Sequence, residues 1–389
     1  MTQWTEDIIS AEIAGTLDGL LYQRIRRTPD NLAYRGYDAS RQNWAETTWS
    51  DVGRATARWR AALAAEELLP GERVAVHLRN GKEWVYFDQA ALACALVVVP
   101  LYTDDRPENI AYILRDSAAR VLLVQDVAGW NRLAPALKDH EELKRVLILG
   151  AAESPVGEFA ADERVRFVQD WLPAESRALV QRRGDPHALA SIVYTSGTTG
   201  RPKGVMLSHY NMLSIAHAAL TMIDVYREDL FLSFLPLSHT LERTAGYYLP
   251  MMTGSTVAYA RSVPQLAEDL LTVRPTVLIA VPRIFERVFV RIQGQMDKQS
   301  GLARALFRIT TRVGWRRFER QQQRAGWRPE LLAWPFLKRL VATRSPPSWA
   351  GACAWRSAAA RGSRCRWRKP SSASACQSCR AMVSRRPAP

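Results

Sequence analysis

A dense cluster of hydroxyl groups and glycines, with one lysine, occurs in the stretch SIVYTSGTTGRPKGVMLSH at residues 191–209. The apolar run 192–194 predicts the end of a buried β-strand. The glycines that follow allow backbone N–H groups to approach a ligand closely, and the hydroxyls add further donors. Lys203 adds a positive charge. The stretch therefore predicts a loop that cradles a polyphosphate. Its candidate binding residues are Thr195, Ser196, Gly197, Thr198, Thr199, Gly200 and Lys203.

This loop is not a Walker A motif. Gly197 and Gly200 are three residues apart, and Lys203 precedes Gly204, whereas Walker A requires G-x-x-x-x-G-K-[ST]. A surface turn rich in serine, threonine and glycine is the other interpretation. The combination of a buried strand, four hydroxyls and a Pro-Lys-Gly exit favours phosphate binding.

Motifs for several other chemistries are missing from the sequence. There is no G-x-S-x-G elbow of a serine hydrolase. There is also no H-E-x-x-H, and the six histidines are scattered, which argues against a zinc site. Cys376 and Cys379 form a single C-x-x-C without a second ligand pair, and we interpret this spacing as chance.

Strand-like and helical patterns alternate along the chain, which predicts an α/β fold of doubly wound parallel-sheet subdomains. A length of 389 residues suits two such subdomains. The predicted strands include 73–78, 97–102, 120–125 and 145–150, and the predicted helices include 83–96, 107–118, 210–223 and the basic stretch 296–324. Ser208 is the expected N-cap of the third of these helices, and the basic helix is expected to lie on the surface.

Charge and cysteine are concentrated in the last part of the chain. The formal net charge is +15, but residues 343–389 contain 10 of the 53 Lys and Arg and none of the 38 Asp and Glu, so the rest carries about +5. Four of the five cysteines also lie there, leaving Cys94 alone in residues 1–342.

A body with one cysteine suits a reducing cytoplasm. We expect a cytoplasmic protein without a signal peptide or a membrane span, and peripheral contact with the inner face of the membrane stays open.

The motif YTSGTTGRPKGVMLSH closely resembles the phosphate-loop signature of the adenylate-forming (AMP-binding) superfamily. The segment FLPLSHTLERTAGYYLPMMTGSTVAYA resembles the version found in bacterial long-chain fatty acyl-CoA synthetases. NGKEWVYFDQAALACALVVVPLYTDDRPENIAYILRDS and TVRPTVLIAVPRIFERV are similar to the same subfamily. The resemblance covers roughly residues 44–341 and implies the N-terminal domain of this superfamily, incomplete over 1–342.

The resemblance implies a two-step ligase reaction. A fatty-acid carboxylate attacks the α-phosphate of ATP to give an acyl-adenylate and pyrophosphate, and coenzyme A then displaces AMP to give the thioester. By motif position, residues 195–200 and Lys203 would hold the β- and γ-phosphates, and Thr195 would bind Mg²⁺. His239 and Lys203 would be the catalytic residues, with His239 beside the adenylate and the acyl entrance.

Four residues near these positions also have structural interpretations. His239 follows a predicted strand and, on sequence alone, could be purely structural. Glu242 and Arg243 could form a structural ion pair with each other. His209 is expected to begin a helix rather than to bind a ligand.

Further motifs of the superfamily are not visible in the sequence. These are a Tyr-Gly-x-Thr-Glu segment, an aspartate for the ribose, and a C-terminal lid domain with a catalytic lysine. We therefore expect the chain as written to have little or no ligase activity. Residues 343–389 are expected to be a disordered basic tail.

Two alternatives to a fatty acyl-CoA synthetase remain open. One is an adenylating enzyme for another carboxylic acid. The other is a non-catalytic fragment whose basic tail binds nucleic acid or anionic lipid, although no nucleic-acid partner is expected for the body of the chain.

We predict that a frameshift near residues 342–347 produced the tail. With codons TGG CGG TCA GCG GCG GCG CGG for residues 355–361, reading from each third base gives Ala-Val-Ser-Gly-Gly-Ala, similar to the superfamily's next motif. With AGG GCT ATG GTC TCA CGG AGA CCA for residues 380–387, the same shift gives Gly-Tyr-Gly-Leu-Thr-Glu-Thr, the adenine motif. Resequencing the gene from the codon for Leu331 onward should reveal a missing or extra base. Codons that do not permit this shifted frame would refute the prediction.

Overall fold

A computed structural model describes residues 7–150, 162–195, 201–281, 286, 290, 293–294, 297, 300–321, 324–337, 356–357 and 384–385. The chain divides into two units, Met1–Arg261 and Ser262–Pro389. The first unit contains the strands and helices that surround the phosphate-loop motif.

The strands of the first unit form two sheets. They are β1 (Leu32–Asp38), β2 (Asn43–Thr48), β3 (Arg73–His77), β4 (Val97–Pro100), β5 (Ala119–Val124), β6 (Arg145–Ile148), β7 (Val165–Phe167), β8 (Leu189–Thr195), β9 (Lys203–Ser208), β10 (Leu230–Ser233) and β11 (Thr256–Tyr259). Sheet I has the order β7-β6-β5-β3-β4-β8-β9, and its neighbours are parallel except for the antiparallel pair β8–β9. In sheet II, β10, β11 and β1 are parallel and β2 is antiparallel to β1.

Helices connect these strands in the way that parallel sheets require. They are α1 (Ala11–Ala14), α2 (Leu17–Arg27), α3 (Trp49–Ala65), α4 (Lys82–Ala93), α5 (Pro107–Asp116), α6 (Val127–Leu133), α7 (Val168–Trp171), α8 (His209–Met222), α9 (Thr240–Glu242) and α10 (Leu249–Thr253), with a 3₁₀ turn at Ala134–Leu137 and a π-helix at Arg243–Tyr248. The predicted α/β class and parallel sheet are confirmed. The β1–β2 hairpin and strand β9 were not predicted.

Helices cover both faces of sheet I. On one face, Ala75 and Leu122 belong to a buried apolar cluster together with Ile110 and Leu114 of α5 and Trp130 of α6. Helix α4 packs on β3 and β4, and α3 packs on α4. Successive residues of a strand point to opposite faces of the sheet, so a strand that is covered on both faces needs apolar residues at every position. This explains the continuous apolar runs that the sequence shows at these strands.

Helix α8 begins as the sequence predicts. The Ser208 hydroxyl accepts a hydrogen bond from the Asn211 backbone N–H at 3.1 Å, and the Asn211 side chain accepts from the Ser208 N–H at 3.0 Å. This reciprocal capping box satisfies two backbone donors that helix geometry leaves unpaired. Ser208 is therefore confirmed as the N-cap.

A buried ion pair joins helix α4 to the π-helix. The Arg243 guanidinium donates to Asp88 at 2.8 Å, and both side chains are fully buried. Arg243 also donates to the Ser191 hydroxyl at 2.7 Å, and the hydroxyls of Tyr247 and Tyr248 donate to Asp88 at 3.0 Å each. The structural interpretation that pairs Arg243 with Glu242 does not hold, because consecutive helical residues do not face each other and the guanidinium pairs with Asp88 instead.

The Glu242 side chain is buried without a charged partner among the described residues, and the Ser233 hydroxyl is the polar group beside its carboxyl. A Cβ atom added at Gly246 would lie 2.3 Å from a Glu242 carboxyl oxygen, so glycine at that position admits the carboxyl against the π-helix. Burial, offset in part by the Ser233 hydroxyl, raises the pKa of Glu242 to about 8. The carboxyl is thus protonated at neutral pH.

The second unit contains α11 (Leu266–Val273), β12 (Val277–Leu278), α12 (Gly301–Gln321), a 3₁₀ turn at Pro329–Ala333, β13 (Arg356–Ser357) and β14 (Ser384–Arg385). Helix α12 lies within the predicted basic helix, and most of its side chains are exposed, as predicted for a surface helix. Strand β14 pairs antiparallel with β12 and β13. The predicted disorder of the tail concerns residues that are mostly outside those described.

Across the described part of the chain, none of the helices combines the length and the apolar character that crossing a bilayer demands.

Replacing Asp88 should destabilise the fold strongly. Asp88→Asn leaves the Arg243 charge buried without its counter-ion, which typically costs about 3–5 kcal/mol. Urea unfolding measures the loss. The matched control is Glu46→Gln, which removes the partly exposed Arg35–Glu46 pair (2.7 Å) and should lower the free energy of unfolding by no more than about 1 kcal/mol. Equal losses in the two variants would contradict this assignment.

The Glu242 carboxyl should make stability depend on pH in a defined direction. Its pKa of about 8 lies above the ordinary value of 4.5, so between these values the folded chain keeps a proton that the unfolded chain has lost. The free energy of unfolding should therefore fall as pH rises from about 4.5 to about 8. Glu242→Gln cannot ionise and should gain stability relative to the parent, by a few kcal/mol at pH 8 and little at pH 4.5.

Denaturant unfolding at several pH values between 4.5 and 8 tests this expectation. Glu141→Gln is the control, because Glu141 is exposed and should leave the pH profile unchanged. A difference between Glu242→Gln and the parent that stays constant with pH would rule out the buried, protonated carboxyl.

Candidate phosphate-binding site

The phosphate-loop motif includes the end of strand β8, the whole of strand β9 and the residues that connect them, and these two strands form a β-hairpin. Strands β8 and β9 pair antiparallel, with Thr195 opposite Lys203 and Tyr194 opposite Gly204. Directly opposed residues project from the same face of a sheet. Thr195 and Lys203 therefore lie side by side on one face where the loop begins and ends, and both are exposed.

The same face of the hairpin leads to the buried ion pair. Ser191, two alternations before Thr195 on β8, donates its hydroxyl to the Val98 carbonyl at 2.7 Å and accepts from Arg243. Since residues i, i+2 and i+4 of a strand share a face, Thr195 and Lys203 project to the side of sheet I that carries Arg243. The Tyr194 side chain projects to the other side, toward α5, and Gly204 lies opposite Tyr194 in the hairpin.

Five of the predicted loop residues, Ser196, Gly197, Thr198, Thr199 and Gly200, lie outside the described residues. Their role in phosphate binding stays a prediction. The described flanks, Thr195 and Lys203, have the exposure and the proximity that the prediction needs.

His239 lies at the end of the turn that follows β10. Its Nδ1 accepts a hydrogen bond from the Leu241 N–H at 3.1 Å, so His239 caps the short helix α9. The ring is exposed, and its Nε2 makes no hydrogen bond with any described residue. Nδ1 of His239 therefore caps the helix, and Nε2 on the exposed side of the same ring can contact a ligand.

Asn80 fixes this turn and was missed by sequence reasoning. Its side-chain amide donates to the Ser233 hydroxyl at 2.9 Å and to the Leu235 carbonyl at 2.6 Å, and its oxygen accepts from the Leu237 N–H at 2.9 Å. One side chain from the β3–α4 connection therefore holds the segment that leads to His239. The only sequence signal was the Asn-Gly pair before α4, which indicates a turn but not its partner.

His209 begins α8, as predicted. Its side chain is buried, and Nδ1 accepts a hydrogen bond from the Leu17 N–H at 3.1 Å. Burial lowers the pKa of His209 to about 4, so the ring is neutral and serves as an acceptor for the first residue of α2.

The described residues contain no group of three or more His, Cys, Asp or Glu side chains that could hold a metal ion. Thr195 contributes one exposed hydroxyl at the loop. Mg²⁺ in nucleotide sites takes most of its ligands from phosphate oxygens and water, so a single protein hydroxyl fits an ion that arrives with ATP. Cys376 and Cys379 lie outside the described residues.

Two curated relatives align with about two thirds of this chain. Long chain acyl-CoA synthetase 6, peroxisomal, of Arabidopsis thaliana is 28% identical over 264 residues, covering 67% of this chain and 37% of the relative. The long-chain-fatty-acid–CoA ligase FadD15 of Mycobacterium bovis is 31% identical over 279 residues, covering 69% of this chain and 44% of the relative. The chain thus spans less than half the length of these two relatives.

A solved structure and a family model agree with the sequence relatives. ATP-bound MatB from Rhodopseudomonas palustris superposes with a TM-score of 0.59 at 23% identity, covering 70% of this chain and 50% of MatB. At that identity the likeness shows the fold. The family model described as AMP-binding enzyme matches residues 21–325, which include the whole β8–β9 hairpin and the His239 turn. The chain belongs to the AMP-binding enzyme family.

Proposed function

We propose that this chain carries the nucleotide-phosphate site of an AMP-forming acid–CoA ligase that acts on long-chain fatty acids. The observation that carries the proposal is the β8–β9 hairpin, which sets Thr195 opposite Lys203 at the two ends of the Ser/Thr/Gly loop. Both curated relatives are named as long-chain acyl-CoA synthetases or ligases, which supports a fatty-acid substrate and coenzyme A. The ATP bound in MatB supports ATP as the nucleotide.

In this proposal the hairpin holds the β- and γ-phosphates of ATP. Backbone N–H groups and hydroxyls of residues 195–200 donate to phosphate oxygens, and the Lys203 ammonium offsets their negative charge. The fatty-acid carboxylate attacks the α-phosphate, and the bond to pyrophosphate breaks. Charge grows on the transferring group and on the leaving pyrophosphate, so fixed cations and donors at the loop lower the barrier.

His239 is proposed to face the adenylate and the entrance for the acyl chain. Its backbone position is fixed by the Asn80 contacts and by the α9 cap, so the ring is presented from a rigid turn. Coenzyme A displaces AMP from the acyl-adenylate in the second step.

Thr195 is the proposed protein ligand of Mg²⁺. The ion would neutralise phosphate charge when it is bound together with ATP. We also propose a cytoplasmic location, with the fatty acid, ATP and coenzyme A as the small-molecule partners.

Phosphate binding can be tested on the 389-residue chain without ligase turnover. Lys203→Ala removes the cation at the loop and should weaken binding of pyrophosphate and of Mg·ATP by roughly 10- to 100-fold, since hydrogen bonds to charged groups contribute about 1.5–3 kcal/mol. Isothermal titration calorimetry measures both affinities.

Lys138→Ala is the matched control, because Lys138 is an exposed lysine beyond α6. It should bind as tightly as the parent chain. If the parent binds neither pyrophosphate nor Mg·ATP, or if both lysine variants bind alike, the proposed phosphate site is wrong.

A further inference from the structure

Helix α5 contacts the chain on both sides of the phosphate loop. Before the loop, the Tyr194 hydroxyl donates to an Asp116 carboxylate oxygen at 2.6 Å. After the loop, the Arg201 guanidinium lies 5.7 Å from the centre of the Tyr112 ring. Tyr112 and Asp116 are one helical turn apart, and the Tyr112 hydroxyl donates to the second Asp116 oxygen at 3.5 Å. One face of α5 thus meets both flanks of the loop.

The contact before the loop is a short hydrogen bond from a buried phenol. A donor–acceptor distance of 2.6 Å is typical of a hydroxyl that donates to an ionised carboxylate. The Tyr194 side chain is only 6% exposed, although Asp116 itself is at the surface. Burial, followed by the hydrogen bond to Asp116, raises the pKa of Tyr194, so the phenol keeps its proton and remains a donor.

Gly204 permits this contact. A Cβ atom at Gly204 would lie 2.8 Å from Cγ2 of Ile192 and 3.1 Å from Cζ of Tyr194. The first distance is shorter than real Cβ contacts, and the second is tighter than most of them, so a side chain there would push on both Ile192 and the Tyr194 ring that points toward Asp116. The glycine after Pro-Lys in the motif therefore serves the Tyr194 contact, on the face of the hairpin opposite to Thr195 and Lys203.

The contact after the loop is a cation–π interaction. Guanidinium groups within about 6 Å of an aromatic centroid are attracted by the negative face of the ring. Arg201 is exposed and Tyr112 is half-buried, so this interaction restrains the residue that follows the loop without belonging to the protein core. Arg201 is thereby engaged with α5, whereas Lys203 projects from the opposite face of the hairpin.

We propose that Asp116 and Tyr112 of α5 are positioning residues for the phosphate loop: Asp116 fixes its entry through Tyr194, and Tyr112 fixes its exit through Arg201. The inference rests on the proposed function, because it assigns these residues to the same phosphate site. A loop whose two ends are already fixed loses less conformational freedom when phosphate binds, so affinity rises without any added ligand contact. None of the four side chains needs to touch the nucleotide.

A double-mutant cycle tests the entry contact. Tyr194→Phe and Asp116→Asn should each weaken pyrophosphate binding by the 389-residue chain by roughly 5- to 10-fold, and the double variant should lose little more than either single one, because the two groups act as a unit. Titration calorimetry is carried out at a temperature at which thermal melts show every variant folded. The matched controls are Tyr210→Phe and Asp139→Asn, both at exposed positions, which should bind as the parent does.

The exit contact is tested separately, because its partners are accessible and their replacement should not affect folding. Arg201→Gln should weaken binding severalfold. Tyr112→Phe keeps an aromatic face and should retain near-parent affinity, whereas Tyr112→Leu should match Arg201→Gln. A purely structural role would lower the melting temperature in these variants and leave the dissociation constant unchanged.

The outcomes separate this inference from the proposed function. If the parent binds pyrophosphate and Lys203→Ala does not, but the Tyr194, Asp116, Tyr112 and Arg201 variants bind like the parent, the positioning role is overturned and the phosphate site stands. If the losses of pyrophosphate affinity in Tyr194→Phe and Asp116→Asn add fully in the double variant, the two residues do not act through their hydrogen bond, and that part of the proposal is wrong. If the parent chain does not bind pyrophosphate, both the proposed phosphate site and the positioning role are wrong.

Discussion

The fully buried ion pair between Arg243 and Asp88 is the constraint on which the arrangement of the first unit depends. Two charges removed from water need close pairing and hydrogen bonds to offset their lost hydration, and here Ser191, Tyr247 and Tyr248 supply such hydrogen bonds at short distances. Within this cluster, only Nε of the Arg243 guanidinium is left without a hydrogen-bond partner among the described residues. The members come from helix α4, strand β8 and the π-helix. Displacing any one of these elements would expose an unpaired charge to an apolar interior, so the pair selects one relative placement of all three.

That placement also fixes the two segments of the first unit that are proposed to form the site. Ser191 precedes Thr195 by four residues on β8, and Arg243 follows His239 by four residues in the chain. The hairpin that carries the phosphate loop and the turn that presents the histidine are therefore each tied to the same guanidinium through a short, rigid stretch of backbone. Arg243 begins a π-helix, a rare geometry that is frequently found at functional sites.

Local sequence signals were sufficient for the elements that depend on local physics. The apolar run before Thr195, the Ser208 cap and the alternation of strands and helices all follow from spacing and side-chain chemistry within a few residues. The Asp88–Arg243 pair joins residues 155 positions apart, and nothing in the neighbourhood of either residue identifies the other. Strand β9 was missed because it lies at the sheet edge and its first residues are exposed, so it lacks the apolar pattern by which buried strands are found.

The position of β8 in sheet I has a consequence for the order of folding. Strands β3, β4, β5 and β6 all come from residues 73–148, whereas the Val98–Ser191 contact that attaches β8 joins positions 93 residues apart. Because closing long loops delays the contacts that they enclose, the β3–β6 layer can assemble before the β8–β9 hairpin docks at its side. The hairpin carries Thr195 and Lys203, so the proposed phosphate site would be completed only when the hairpin docks. An immobilised nucleotide would then retain only those molecules whose sheet is complete.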